Sequence, residues 1–149
     1  KAKQLYREIV NVDKSGATHY LMADAEYHVG NTSLSLELFK ESANFGYINA
    51  ITKLADAYFF GTRVKKDLDK SLEYYIHASS LGLVSAYYNQ SVIYQKQKKY
   101  IEMQVALIKA AKLGHIKAKK ITVENDINIE NYEFNDGILK EKDNLSIKR

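Results

Sequence analysis

The chain has 149 residues and a net charge of +4. Its residues are 46% hydrophobic and 27% charged, a balance typical of one soluble globular domain and not of a disordered or collagen-like chain. No run approaches the ~18 apolar residues that a membrane-spanning helix requires. Cysteine is absent, which excludes disulfides, thiolate zinc sites and cysteine nucleophiles, and the absence of proline favours helices. This composition fits a cytoplasmic, a periplasmic or an exported protein equally well.

Glycines recur along the chain with small residues at fixed distances from them. Gly46, Gly82 and Gly114 lie 36 and 32 residues apart, and each is followed four residues later by alanine. Gly16 opens an earlier unit. A period of this length is typical of stacked helix-pair repeats, whose units bury their apolar faces only against neighbours. We predict three units, at about residues 16–46, 47–82 and 83–114.

The central unit shows two helices most clearly. From Ala50 the apolar residues recur at i, i+3, i+4, i+7 and i+8 positions, which places them on one helical face; they are Ile51, Leu54, Ala55, Tyr58 and Phe59. Gly61 is predicted to cap the end of this helix and Asp67 to cap the start of the next, which ends before Gly82. Small residues such as Ala55 are expected where the two backbones approach closely.

This unit resembles the Sel-one-like repeats, which are relatives of the tetratricopeptide repeat. The residues that carry the resemblance are Ala50, Leu54, Tyr58, Gly61, Val64, Asp67, Lys70, Tyr74, Ala78, Ser79 and Gly82. The third unit departs from the pattern because Gln97 replaces its first glycine. The resemblance implies an all-α, right-handed α-solenoid of stacked antiparallel helix pairs. Because bacterial members of this family act as adaptors, regulators or host-interaction factors, it also implies a role of this class.

Both ends of the chain are predicted to carry half-repeats that act as caps or mark a truncated array. Residues 1–15 resemble a second helix and residues 116–125 a first helix, so that the solenoid covers residues 1–125. Residues 126–149 form a polar tail, and we expect it to pack against the last helix through Ile127, Ile129 and Phe134.

Positive charge is concentrated in residues 96–120, which hold eight lysines and one glutamate, whereas residues 121–149 have a net charge of −3. A lysine-rich segment is typical of a nucleic-acid surface, but also of a solvated face that an acidic tail neutralises. We prefer the solvated face. The candidate basic edge consists of Lys112, Lys117, Lys119 and Lys120.

No catalytic, cofactor-binding or metal-binding residue is predicted. The four histidines form no H-x-x-x-H pair, and His77 and His115, which lie near repeat glycines, are expected to be cations at helix C-termini. Two acidic segments, beginning at Asp67 and Asp126, resemble the start of a calcium loop but lack its glycine at position six. We therefore predict a protein that is not an enzyme.

The remaining candidate site is the surface formed by the first helix of each unit, which lines the concave face in tetratricopeptide packing. Its positions are Thr18, Leu21, Ala25, His28, Asn49, Thr52, Asp56, Phe59, Ser85, Tyr88, Val92 and Gln95. Phe59 and Tyr88 are either aromatic anchors for a partner or side chains packed between helices. This mixture predicts a protein-binding module; an immunity protein against a toxic bacterial effector and a nucleic-acid-binding protein are the alternatives.

Overall fold

The computed structural model describes residues 2–10, 13–135 and 138–141, and this part of the chain contains eight α-helices, which confirms the predicted all-α fold. They are α1 (Ala2–Val10), α2 (Ala17–His28), α3 (Thr32–Asn44), α4 (Ile48–Phe60), α5 (Leu68–Ser80), α6 (Val84–Lys96), α7 (Tyr100–Lys112) and α8 (Ile116–Glu124). The chain divides into two compact units, residues 1–83 and 84–149. Among the described residues, no helix is long and apolar enough to cross a membrane.

In the first unit, α2 pairs with α3 and α4 with α5, and α3 packs on α4. Small residues occupy the closest contacts, as the repeat pattern predicts. Ala55 is fully buried and its carbonyl accepts a hydrogen bond from Ser71 Oγ at 2.8 Å, which joins α4 to α5. Ser42 Oγ similarly donates to the Gly16 carbonyl at 2.6 Å and ties α3 to the start of α2.

The caps of the central helix pair are those that the sequence predicts. Gly61 ends α4 with φ 76°, and the Asp67 carboxylate accepts a hydrogen bond from the Lys70 backbone N–H at 3.0 Å at the start of α5. Gly30 has the corresponding left-handed backbone after α2, with φ 86°. After α6 the left-handed residue is Lys98, with φ 60°, so the turn forms although the repeat glycine is missing.

In the second unit, α6, α7 and α8 surround a cluster of buried side chains, and Ile129 packs against this cluster from a short 3-10 turn, Ile129–Asn131. The core of the cluster is Leu107, Ala110, Ala111 and Ala118. Strand β1 (Tyr132–Asn135) then pairs antiparallel with β2 (Ile138–Glu141), with Tyr132 opposite Glu141. The sequence analysis predicted a polar tail here and no hairpin. The predicted contact of Phe134 with α8 concerns a side chain outside the described part of the structure.

His115 differs from its predicted role. Its Nδ1 accepts a hydrogen bond from the Ala118 backbone N–H at 3.3 Å, so it caps the N-terminus of α8 instead of acting as a cation at the end of α7. The prediction was wrong because the turn after Gly114 is so short that the next residue already belongs to the following helix. His77 lies in the last turn of α5, near the helix C-terminus as predicted.

Candidate partner-binding surface

The first helices of the two complete pairs in residues 1–83, α2 and α4, are linked by contacts of the Lys53 side chain. Lys53 Nζ of α4 lies 3.4 Å from Asp24 Oδ1 of α2 and 5.0 Å from the centre of the Tyr27 ring. On the predicted face, the Leu21 side chain is 69% exposed. His28 and Asn49 are exposed and Thr52 is half-buried, so the side chains predicted for α2 and the start of α4 reach solvent.

Asp56 and Phe59, farther along α4, contact their own helix pair as well as solvent. The Asp56 carboxylate accepts a hydrogen bond from the Tyr75 hydroxyl of α5. Burial, and secondly this bond, raise the pKa of Tyr75. The half-buried Phe59 ring lies 4.8 Å from the ring of Phe60, which is 70% exposed. Sequence analysis missed Phe60 as an exposed aromatic residue. The available signal was that Phe60 lies outside the apolar stripe of α4.

The predicted positions of α6 belong to the second unit. The Tyr88 ring stacks on the His115 ring at 4.7 Å and packs against the α7–α8 cluster, as expected for a side chain packed between helices. Desolvation, and secondly the positive charge of Lys117, lower the pKa of His115. Gln95 is exposed near the end of α6.

The candidate basic edge is divided between two roles. Lys112 is half-buried and its Nζ donates to the Ile129 carbonyl at 2.9 Å, which fixes the 3-10 turn to α7. Lys117, Lys119 and Lys120 are exposed on α8, where Lys120 Nζ lies 3.7 Å from Glu124 Oε1. Three of the four predicted lysines therefore face solvent, and one supports the fold.

Sequence analysis also missed an open pocket of about 170 Å³ in the first unit, between α3, α4 and the loop that follows α4. It is bounded mainly by apolar side chains, which are Leu36, Phe39, Leu54, Ala57, Phe60 and Val64. Lys53, Asp56 and Arg63 are the charged residues at its wall. We name it the α3–α4 pocket.

Arg63 joins the loop after α4 to the end of α2. Its guanidinium lies 3.9 Å from the centre of the Tyr27 ring and donates a hydrogen bond to the Tyr27 carbonyl. The Arg63 backbone is left-handed, with φ 59°, a conformation that is uncommon for a residue other than glycine. The Tyr27 ring thus has two cations over it, those of Arg63 and Lys53.

Solved structures with a similar fold support the repeat interpretation. A Sel1 repeat protein from Oxalobacter formigenes superposes with a TM-score of 0.64 at 21% identity, covering 83% of this chain and 95% of that protein. The chain has the Sel-one-like repeat fold. A protective antigen of uropathogenic Escherichia coli with the same fold superposes with a TM-score of 0.65 at 21% identity over 83% of this chain, which spans 28% of that protein's length. No protein-family model and no curated protein matches the sequence.

Within this Sel-one-like repeat fold, the loop of the central helix pair is what creates the α3–α4 pocket. Residues 61–67 connect α4 to α5, whereas only residues 29–31 connect α2 to α3. The longer loop carries Arg63 and Val64 back over α3 and the end of α2.

Among the described residues, no three histidine, aspartate or glutamate side chains are grouped closely enough to hold a metal ion.

Proposed function

We propose that this chain is a non-enzymatic protein–protein interaction module that binds a partner protein through the exposed face of its first helices. The observation that carries the proposal is the ion pair of Lys53 on α4 with Asp24 on α2, with Leu21 exposed among polar side chains. An interface needs an apolar centre surrounded by polar groups, and this face offers both. The Sel-one-like repeat fold supports the same class of function.

The second unit carries first-helix positions of its own, Tyr88 and Gln95 on α6, and the proposal treats them as a separate face. In stacked-repeat proteins the first helix of a pair presents side chains to a binding surface. Tyr88 contributes part of its ring to such a surface while its stacking on His115 keeps it rigid. A rigid aromatic side chain loses little conformational entropy on binding, which favours its use as a contact residue.

Site-specific crosslinking in the source cells tests this assignment. We would place a photoreactive phenylalanine derivative at Leu21 or Asn49 on the first-helix face, and at Ile76 on α5 as a control. Ile76 is also an exposed apolar residue, 46% exposed, but it lies on a second helix. We expect one partner protein to crosslink from Leu21 and Asn49 and not from Ile76. Crosslinking from Ile76 alone would contradict the proposal.

The same experiment separates the alternatives. If the crosslinked partner is a toxic effector whose activity this chain neutralises, the module is an immunity protein. If no protein crosslinks and the chain is retained on heparin with a steep salt dependence, the lysine-rich segment 96–120 binds nucleic acid. Lys117 and Lys119 would then carry the binding, because Lys112 is engaged with Ile129.

A further inference from the structure

We propose that the α3–α4 pocket binds one large apolar side chain from an acidic peptide segment of the partner protein. This deepens the proposed function and rests on it, because it adds a second contact to the same partner. The pocket lies on the side of α4 that faces α3, and among the predicted first-helix positions only Asp56 lines it. The argument rests on the volume of the pocket, the charge of its wall and the orientation of Arg63.

The volume and the lining suit an aromatic ring. A cavity of about 150 Å³ lined by aliphatic and aromatic side chains holds one benzene molecule, and this pocket measures about 170 Å³. Of the lining side chains, Phe39 and Leu54 are buried, Ala57 is half-buried and Phe60 is 70% exposed. An entering ring would therefore cover Phe60, an apolar side chain that is otherwise left in water.

The charge at the wall favours a carboxylate beside that ring. Within the described residues Arg63 has no carboxylate partner, and its guanidinium lies over the Tyr27 ring and donates a hydrogen bond to the Tyr27 carbonyl. Lys53 has Asp24 at 3.4 Å, an ion pair between partly exposed groups, which is weak. The third charged residue, Asp56, accepts the hydrogen bond of the Tyr75 hydroxyl, which partly satisfies its charge. The two cations at the wall therefore outnumber its one acidic group.

The loop that carries Arg63 is anchored to α4, and the exposed Arg63 side chain is oriented by its contacts with Tyr27. The loop that carries it is held by hydrogen bonds from the Thr62 N–H to the Ala57 carbonyl at 3.0 Å and from the Asp67 N–H to the Tyr58 carbonyl at 2.9 Å. A left-handed backbone at a residue other than glycine is strained, and such strain is concentrated at binding and catalytic sites. A guanidinium held in place in this way binds a carboxylate with little further loss of conformational entropy.

The test uses capped synthetic pentapeptides and the full chain. The first has phenylalanine between two pairs of glutamates; the second replaces phenylalanine by alanine, and the third replaces the glutamates by lysines. We expect only the first to produce saturable amide shifts at Leu36 and Ala57 in NMR spectra. Equal binding of the second peptide would overturn the apolar part of the proposal, and equal binding of the third would overturn the charge part.

Matched variants locate the contact. Arg63→Asn removes the cation and keeps a residue that tolerates a left-handed backbone, whereas Lys65→Gln removes one charge from the same loop outside the pocket. We expect Arg63→Asn to weaken binding about tenfold and Lys65→Gln less than about twofold, since charge-assisted hydrogen bonds are short-range contacts. Equal effects of the two would overturn the proposal.

A second variant keeps the test decisive if Arg63→Asn destabilises the loop. Ala57→Leu fills the pocket from a half-buried position and should abolish the peptide-induced shifts without lowering the melting temperature. If crosslinks form at Leu21 and Asn49 while no peptide shifts the pocket amides, the pocket proposal is wrong and the interaction module stands. Peptide binding without any such crosslink would contradict the first-helix surface instead.

Discussion

Replacement of Ala55 by leucine tests the packing of α4 against α5 at the centre of the repeat. Ala55 has no exposed surface, and its carbonyl accepts the Ser71 Oγ hydrogen bond at 2.8 Å. The added isopropyl group has no free volume to occupy, so it must push the two helices apart. Overpacking of this kind costs about 1–3 kcal/mol. Loss of the Ser71 hydrogen bond adds about 1 kcal/mol, which gives an expected loss of about 2–4 kcal/mol.

Urea unfolding followed by circular dichroism measures this loss, and Ala57→Leu is the matched control. Ala57 lies two residues farther along the same helix but is half-buried beside the open α3–α4 pocket. The same chemical change should therefore alter the free energy of unfolding by less than about 0.5 kcal/mol there. Equal effects of the two substitutions, or an unchanged midpoint for Ala55→Leu, would refute the assignment of Ala55 to a close helix crossing.

Three further predictions follow from the turns and the C-terminal segment. Gly30→Ala should lower the free energy of unfolding by about 1 kcal/mol, and Lys98→Gly should raise it by about 0.5–1 kcal/mol. The reason is that only glycine adopts the left-handed backbone of these two positions without strain. If urea titrations show that both substitutions change the free energy of unfolding in the same direction, this reasoning is contradicted. Because the pKa of His115 is lowered in the folded chain, stability should fall as the pH drops below about 6.5, the pKa in the unfolded chain, and His115→Asn should reduce that loss; an unchanged pH profile of thermal unfolding would refute this. Removal of residues 126–149 should preserve the helical circular dichroism but increase aggregation, because Ile129 no longer covers the α7–α8 cluster; a truncated protein that scatters no more light and is equally heat-stable would show the opposite.

The helix pairs could be predicted from the sequence because their determinants are local. Apolar spacing along α4, the glycine at its end and the Asp67 cap all act within one or two helical turns. The hairpin depends on pairing between two short strands, 132–135 and 138–141, and neither strand alone has a strong pattern. The Asp–Gly pair at 136–137 in the sequence, which is typical of two-residue hairpin turns, was the signal that could have identified it.

For the candidate site, only the solvent exposure of its side chains could be predicted from the sequence. The analogy with tetratricopeptide packing placed Leu21 and Asn49 on a surface face, and both are exposed in the structure. The analogy does not specify tertiary partners, so the hydrogen bond of Tyr75 to Asp56 and that of Lys112 to the Ile129 carbonyl were not foreseen. The α3–α4 pocket was missed for the same reason, since it depends on how residues 61–67 fold back over α3.

The central claim, that a partner binds the first-helix face, is tested most directly by comparing two partner dissociation constants. The partner identified by crosslinking would be titrated against Leu21→Asp and against Ile76→Asp, each of which places a carboxylate at an exposed apolar position. Truncating or charging a contact at the centre of an interface costs about 2 kcal/mol or more, so Leu21→Asp should weaken binding about thirtyfold or more at an unchanged melting temperature. Ile76→Asp should leave the dissociation constant within about twofold of the wild-type value. Unchanged binding by Leu21→Asp together with a tenfold loss for Ile76→Asp would place the partner on the second helices and contradict the account.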